Sequence, residues 1–255
     1  MDKADRARQQ FREFITDCGV KDLDLTNKSI LELGFGNGLF LECCEKAGMK
    51  VAGLEVTDNI YKQTAAKFPH MNLKLYDGFH IPTIDDNFDY VVSFQVLEHV
   101  KSMDMFITES ARVLKPGGLM YHRFPNYCSF YEGHYKIMWL PFLNKVTGRI
   151  YLKLTRQYSD YYESLNLTKI ADIRRLYKQN ADSIELLSDG SREFESRFNL
   201  AQASKISAPR VRKAAKFVVT NPPIRKSALF IMKLLNMHCP LMMIARKRHS
   251  SNIGN

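Results

Sequence analysis

No spacing among the five cysteines resembles a zinc or disulfide framework, and an odd number cannot pair completely. Cys43 and Cys44 are adjacent on a presumed helix, and a reduced, cytoplasmic setting fits best. The Met1 end lacks an apolar signal core: Asp2, Asp5, Arg6, Arg8, Gln9 and Gln10 are the wrong composition for secretion. No run supplies the roughly 20 apolar residues of a spanning helix. The stretch 229–245 is broken by Lys233, Asn236, His238 and Pro240, so it reads as helix, turn and buried strand. Peripheral contact of a 224–237 helix with the inner face of a membrane stays open. Internal repeats and low-complexity tracts are absent, and only the tail 249–255 reads as disordered.

Acidic residues are scarce in one part of the chain only. Residues 1–100 carry 11 Lys/Arg against 16 Asp/Glu, a balance of −5, whereas residues 101–255 carry 26 against 11, a balance of +15. The basic part suits an anionic partner (a phosphate-bearing small molecule, an acidic membrane surface or nucleic acid), or is simply a soluble basic surface. At 255 residues, one domain over 1–248 with insertions is the expectation.

The most informative run is Ser29–Phe40. Ile30, Leu31 and Leu33 read as a short buried strand, the chain turns through Gly34, Gly36 and Gly38, and Leu39, Phe40, Cys43 and Cys44 follow at helical spacing. Strand, glycine turn and helix together let backbone approach a ligand closely. Glu55 closes a second apolar strand about twenty residues on, where a βαβ unit places a carboxylate on ribose hydroxyls. The third glycine of a dinucleotide fingerprint is missing, because Leu39 stands there. A nucleoside-containing cofactor is implied; the glycines alone do not say which.

Strand-like runs at 29–33, 50–54, 72–76, 89–94 and 118–124 alternate with helical patterns near 38–47, 58–67 and 103–114, after an amphipathic capping helix over 4–18 within residues 1–27. Lys115-Pro-Gly-Gly118 reads as a break. The alternation predicts an α/β, Rossmann-like sheet, mostly parallel, with helices on both faces and ligands beyond the strands' carboxyl ends. Thr168 is a candidate N-cap for a helix to about Lys178, 183–187 reads as a strand, and 240–245 as a last strand ended by Arg246-Lys-Arg248. Two segments depart from the alternation. Residues 125–165 interleave ten Trp, Tyr and Phe side chains with His134 and basic residues, and 191–237 is basic and mainly helical, interrupted at Pro209 and Pro222-Pro223. Both are expected to form a substrate cover.

Leu75-Tyr-Asp-Gly78 at the end of the third strand, Leu97-Glu-His-Val100 after the fourth and Lys115-Pro-Gly-Gly118 before the fifth complete an ordered set with the glycine run. Together these resemble the class I S-adenosylmethionine-dependent methyltransferases, in particular the group with a Glu-His-Val motif after strand four. The resemblance runs from about 28 to 124 and returns weakly at 166–187 and 239–247. It implies a seven-stranded sheet with a reversed last strand and S-adenosyl-L-methionine as cofactor. It also implies that Glu32, Gly34, Phe35, Gly36 and Gly38 shape the loop around the methionine and ribose portions, with Phe35 narrowing the pocket. Glu55 would bind the ribose hydroxyls, with Val56 beside the adenine. Asp77, Gly78 and Phe79 would hold the adenine, and Phe94, Gln95 and Val96 would line the wall near the sulfonium. No metal is implied. Glu32 and Glu98 also suit structural ion pairs, and His99 a packing role.

For the acceptor, Tyr131, His134, Tyr135 and Lys136 are the candidate binding residues, with His134 as base or orienter and Glu132 able to fix its tautomer; His122 is the rival base. Segments like Glu132–Tyr135 also resemble those of bacterial methyltransferases encoded with surface-polysaccharide genes. The leading expectation is O-methylation of a sugar, glycolipid or similar acceptor, anionic and either a free small molecule or glycan- or lipid-linked. An RNA-directed methyltransferase and a catalytically silent cofactor-binding protein are the alternatives.

Overall fold

The computed structural model describes residues 2–20, 25–204, 206 and 209–249. Beyond residue 249 the expected tail lies outside the described residues. The chain divides into two compact units. The first gathers residues 1–123, 176–187 and 243–255, and the second residues 124–175 and 188–242. Both segments expected as insertions fall within the second unit.

In the first unit α1 (Lys3–Asp17) precedes β1 (Ser29–Leu33), α2 (Leu39–Lys46), β2 (Lys50–Glu55), α3 (Asp58–Lys67), β3 (Asn72–Leu75), β4 (Phe88–Phe94), α4 (Met103–Val113) and β5 (Leu114–Phe124). Pairing of β1 with β2 and β4, of β2 with β3 and of β4 with β5 is parallel throughout. A parallel strand covered by helices on both faces is apolar along its length, which is why Ile30, Leu31, Leu33, Val91 and Val92 are all buried. The ring of Phe14 on α1 sits edge-on to Phe40, Tyr90 and Tyr121, with centroids 6.1, 5.4 and 5.7 Å away, and so locks α1 to the sheet.

Lys115–Gly118 does not end the strand. Phe88 pairs with Leu114 and Tyr90 with Leu119, so the extra residues bulge out of β5 rather than preceding it. A Cβ at Gly118 would stand 2.9 Å from the Lys115 carbonyl oxygen and 3.0 Å from that of Asp89, which is why the bulge needs glycine there.

The second unit begins with β6 (Tyr131–Glu132) and β7 (Ile137–Met138), an antiparallel hairpin, followed by α5 (Lys145–Leu154), α6 (Tyr161–Ser164) and α7 (Ile170–Gln179). β8 (Ile184–Ser188), α8 (Ser191–Arg197), α9 (Leu200–Ser204), α10 (Pro209–Thr220), α11 (Pro222–Leu234) and β9 (Leu241–Lys247) complete the chain. Sheet order is β3-β2-β1-β4-β5-β9-β8, a seven-stranded, mostly parallel Rossmann-like sheet with the last strand inserted between β5 and β8. Arg246 and Lys247 belong to β9 instead of ending it.

Thr168 is not an N-cap. α7 starts two residues later, and the Thr168 hydroxyl donates to the Pro125 carbonyl at 2.6 Å. The prolines at 209 and 222 open α10 and α11, where the missing N–H costs nothing. Several aromatics expected on a cover are core instead. Tyr127, Trp139 and Tyr162 pack with Leu152 and Leu165, and the Lys145 ammonium, over the Tyr162 ring, donates to the Tyr162 and Leu165 carbonyls.

Candidate cofactor and acceptor sites

The strand order reverses between β1 and β4, so a crevice opens at their carboxyl ends. Three positive-φ glycines carry the chain away from β1: Gly34 at +73°, Gly36 at +53° and Gly38 at +72°. Each has a different reason to lack a Cβ. At Gly34 it would lie 2.5 Å from Val96 Cγ2, so the loops after β1 and β4 touch there. At Gly38 it would strike Thr64 and Phe68 of the α3 end. At Gly36 it would meet nothing within 4 Å, so the space in front of this turn is open.

Glu55, buried at the end of β2, holds this loop. Its Oε2 accepts from Gly36 N at 3.2 Å, and its Oε1 from Val56 N at 2.9 Å and Thr57 N at 3.1 Å. Thr64 on α3 adds a second tether, donating to Gly36 O at 2.7 Å. Sequence reasoning missed Thr64: a mid-helix threonine carries no motif, and only its burial against the loop gives it away. Glu32 is 4% exposed, and its Oε2 has no hydrogen-bond partner among the described residues. Burial, and then the charge of Glu55, push the Glu32 carboxyl well above the usual carboxylate range.

At the next strand end Asp77 Oδ1 accepts from Phe79 N at 2.8 Å and His80 N at 2.9 Å, bonds that lower its pKa. A Cβ on Gly78 would be 3.3 Å from exposed Val56, so these two border one space. Gln95 takes a left-handed φ of +58° and donates its N–H to Arg123 O at 2.7 Å, turning the chain off β4. One expected residue faces elsewhere. Phe35 is buried with its ring where a Gly53 Cβ would be, so it fills the core and cannot narrow a pocket. Phe94 packs its half-buried ring on Phe40, centroids 4.8 Å apart, and on Tyr121.

His122 is corrected as a base. It is fully buried, its Nδ1 is 2.8 Å from Ser93 Oγ, and burial pushes its pKa down to about 3. A neutral imidazole sealed beneath Phe106 reaches no substrate.

In the second unit the hairpin tip brings the remaining candidates together. Glu132, itself buried, accepts from the Tyr135 N–H at 2.6 Å and the Tyr127 hydroxyl at 3.3 Å, and lies 2.7 Å from His134 Nδ1. Such a carboxylate fixes Nδ1 as the protonated nitrogen and Nε2 as the basic one. The His134 ring lies 5.6 Å from that of Tyr161, and the Tyr135 hydroxyl is 3.0 Å from Ser159 Oγ. Tyr131 is half-buried, and Lys136, at φ +56°, is exposed at the turn.

Residues 31–122 match the family described as a methyltransferase domain. The matched segment covers 92 of the 255 residues. It spans the glycine loop, Glu55, Asp77 and the turn at Gln95. A probable S-adenosylmethionine-dependent methyltransferase of Mycolicibacterium smegmatis is 30% identical over 106 residues, 42% of this chain and 41% of that one. A ubiquinone biosynthesis O-methyltransferase of Nitrobacter winogradskyi is 30% identical over 151 residues, 51% of this chain and 56% of its own. The chain thus spans less than two thirds of these curated relatives.

Among solved structures, an S-adenosylmethionine-dependent methyltransferase from Mesorhizobium loti superposes with a TM-score of 0.55 at 13% identity, covering 92% of this chain and 97% of that one. The Haemonchus contortus phosphoethanolamine N-methyltransferase 2, solved with phosphomonomethylethanolamine and S-adenosylhomocysteine, gives 0.56 at 15%, covering 94% and 52%. These share the class I methyltransferase fold with this chain.

S-Adenosylmethionine is the cofactor named for relatives matched above, and the residues present here fit it. Two buried carboxyl groups suit an ammonium better than a pyrophosphate, and the Glu32 oxygen with no partner among the described residues becomes an acceptor when an ammonium ionises the group. Glu32 would meet the amino-acid tail, Glu55 the ribose, and Asp77 with the Gly78–Phe79 backbone the adenine. Glu55→Ala is expected to weaken cofactor binding by about 1.5–3 kcal/mol, the scale of hydrogen bonds to a charged group; an unchanged Kd by calorimetry would remove Glu55 from the site.

The raised Glu32 pKa predicts proton linkage. Above the ordinary carboxylate value, burial keeps the free carboxyl protonated, whereas a neighbouring ammonium favours its ionised form. Binding therefore releases a proton, and affinity rises with pH up to the raised value. At a pH above the ordinary carboxylate value, binding heats should differ between buffers of different ionisation enthalpy, and Glu32→Gln should shrink the difference.

Proposed function

We propose that the protein is an S-adenosylmethionine-dependent methyltransferase acting on a hydroxyl of a sugar, glycolipid or similar small acceptor. The observation that carries the donor half is the Glu32 oxygen without a partner, together with the open turn at Gly36. The cofactor supplies an electrophilic methyl group. What the chain must add is alignment, shielding from water and a place for the acceptor's proton.

The hydroxyl reading rests on the Glu132–His134 contact. A neutral hydroxyl sheds its proton as it is methylated, and His134 Nε2 takes that proton once Nδ1 donates to Glu132. The carboxylate then stabilises the imidazolium. The naming of the Nitrobacter relative as an O-methyltransferase favours the same acceptor atom. The basic excess of residues 101–255 suits a phosphate- or lipid-linked acceptor, and the likeness of the Glu132–Tyr135 segment to polysaccharide-associated enzymes supports a glycan.

The test is transfer of labelled methyl groups from S-adenosylmethionine into glycolipid, sugar and RNA fractions of a cell extract. Label in a glycolipid or sugar fraction, lost in His134→Ala, is the expected result. Label confined to RNA overturns the acceptor, and absence of any binding heat with the cofactor overturns catalysis as well.

A further inference from the structure

The chain has no Asp or Glu after Glu195. Within this stretch α10 carries four Lys/Arg and α11 three, of which Lys233 pairs with Glu195 and Arg225 donates to the Glu195 and Phe198 carbonyls. The two helices pack on each other. On α11 Leu229 is buried, whereas Phe230, Ile231 and Leu234 are 68%, 50% and 67% exposed, and Ile224 and Leu235 are exposed too. Spacings of three, four and seven residues place these five on one side of the helix, opposite Leu229. Phe217 on α10 is 60% exposed, and Arg210, Lys213, Lys216 and Lys226 are exposed as well.

A contiguous row of large apolar side chains in water marks a surface that something covers. Nucleic acid would answer the charge but leave Phe230, Ile231 and Leu234 unburied. A second copy across a two-fold axis would set like charges against each other. An anionic bilayer answers both: apolar side chains enter the boundary of headgroups and acyl chains while Lys and Arg meet lipid phosphates. We propose that the α10–α11 face docks in the plane of an anionic phospholipid membrane. No helix among the described residues is long and apolar enough to cross one. The inference goes beyond methyl transfer, and its test needs no turnover.

The protein is sedimented with vesicles of phosphatidylcholine alone and of an equimolar mixture with phosphatidylglycerol. Retention on the mixed vesicles, weakened by salt, is expected, with little on phosphatidylcholine. Phe230→Ser/Leu234→Ser and Lys213→Glu/Lys216→Glu should each lower retention roughly tenfold while leaving the unfolding midpoint and cofactor affinity in place. Independently, Phe230→Trp should show a blue-shifted emission when mixed vesicles are added. Equal retention on both vesicles, none on either, or unshifted emission overturns the proposal. So does retention on RNA without retention on vesicles, or a dimer that the Phe230→Ser/Leu234→Ser pair dissociates in the absence of lipid binding.

Discussion

Gly36→Val is expected to abolish S-adenosylmethionine binding in calorimetry while the free protein still folds. Two effects act, and separate measurements resolve them. Gly36 holds φ +53°, where a residue with a Cβ is strained by roughly 1–2 kcal/mol, more when β-branched. That strain lowers the unfolding midpoint of the free protein. The second effect belongs to the ligand. Since no atom lies within 4 Å of a Cβ at this position, a valine fits the free chain but fills the space in front of the loop. Gly36→Ala, with the strain but less bulk, should bind weakly and mark the intermediate point. Cofactor affinity retained in the valine variant would remove the loop from the site.

His134→Ala is expected to lower kcat by about 10²–10⁴-fold, the usual contribution of general acid–base catalysis, with S-adenosylmethionine affinity unchanged. The asymmetry is the point. His134 belongs to the hairpin of the second unit, whereas Glu55, Gly36 and Asp77 belong to the first. Parallel losses of turnover and cofactor affinity would mean that the substitution disturbs the fold or the cofactor, and the base assignment would fail. Glu132→Gln provides a graded companion: it keeps an acceptor for Tyr135 N but loses the charge that stabilises an imidazolium. Its pH–rate profile should shift its acidic limb towards lower pH, because the imidazole is then protonated less readily.

The sheet and the glycine turn after β1 were legible because their signals are local. β1 and β4 are apolar runs of the length a buried parallel strand needs, and α3 fills the 58–67 window of its helical pattern. Side-chain direction was not legible. Phe35 follows a glycine in the loop, but only the bare backbone of Gly53 on the neighbouring strand tells that its ring turns inward. Trp139, Tyr127 and Tyr162 look like a binding surface in sequence, since aromatics beside basic residues serve recognition and core equally. Their mutual packing decides it. His122 and His134 are equivalent as letters. One lies sealed beneath Phe106 and the other sits at a hairpin tip beside a carboxylate, and that difference comes wholly from tertiary burial.

The contact between Gly34 and Val96 makes two positions 62 residues apart in the chain one mutational unit. A methyl group at 34 needs the volume that the Val96 side chain occupies, so Gly34→Ala and Val96→Ala should be strongly non-additive: trimming Val96 should recover the clash part of the Gly34→Ala defect and leave only the strain of φ +73°. The loops after β1 and β4 therefore constrain each other's side-chain choices directly, without any ligand between them, and variation on one side of the crevice is tolerated only when the other side gives way.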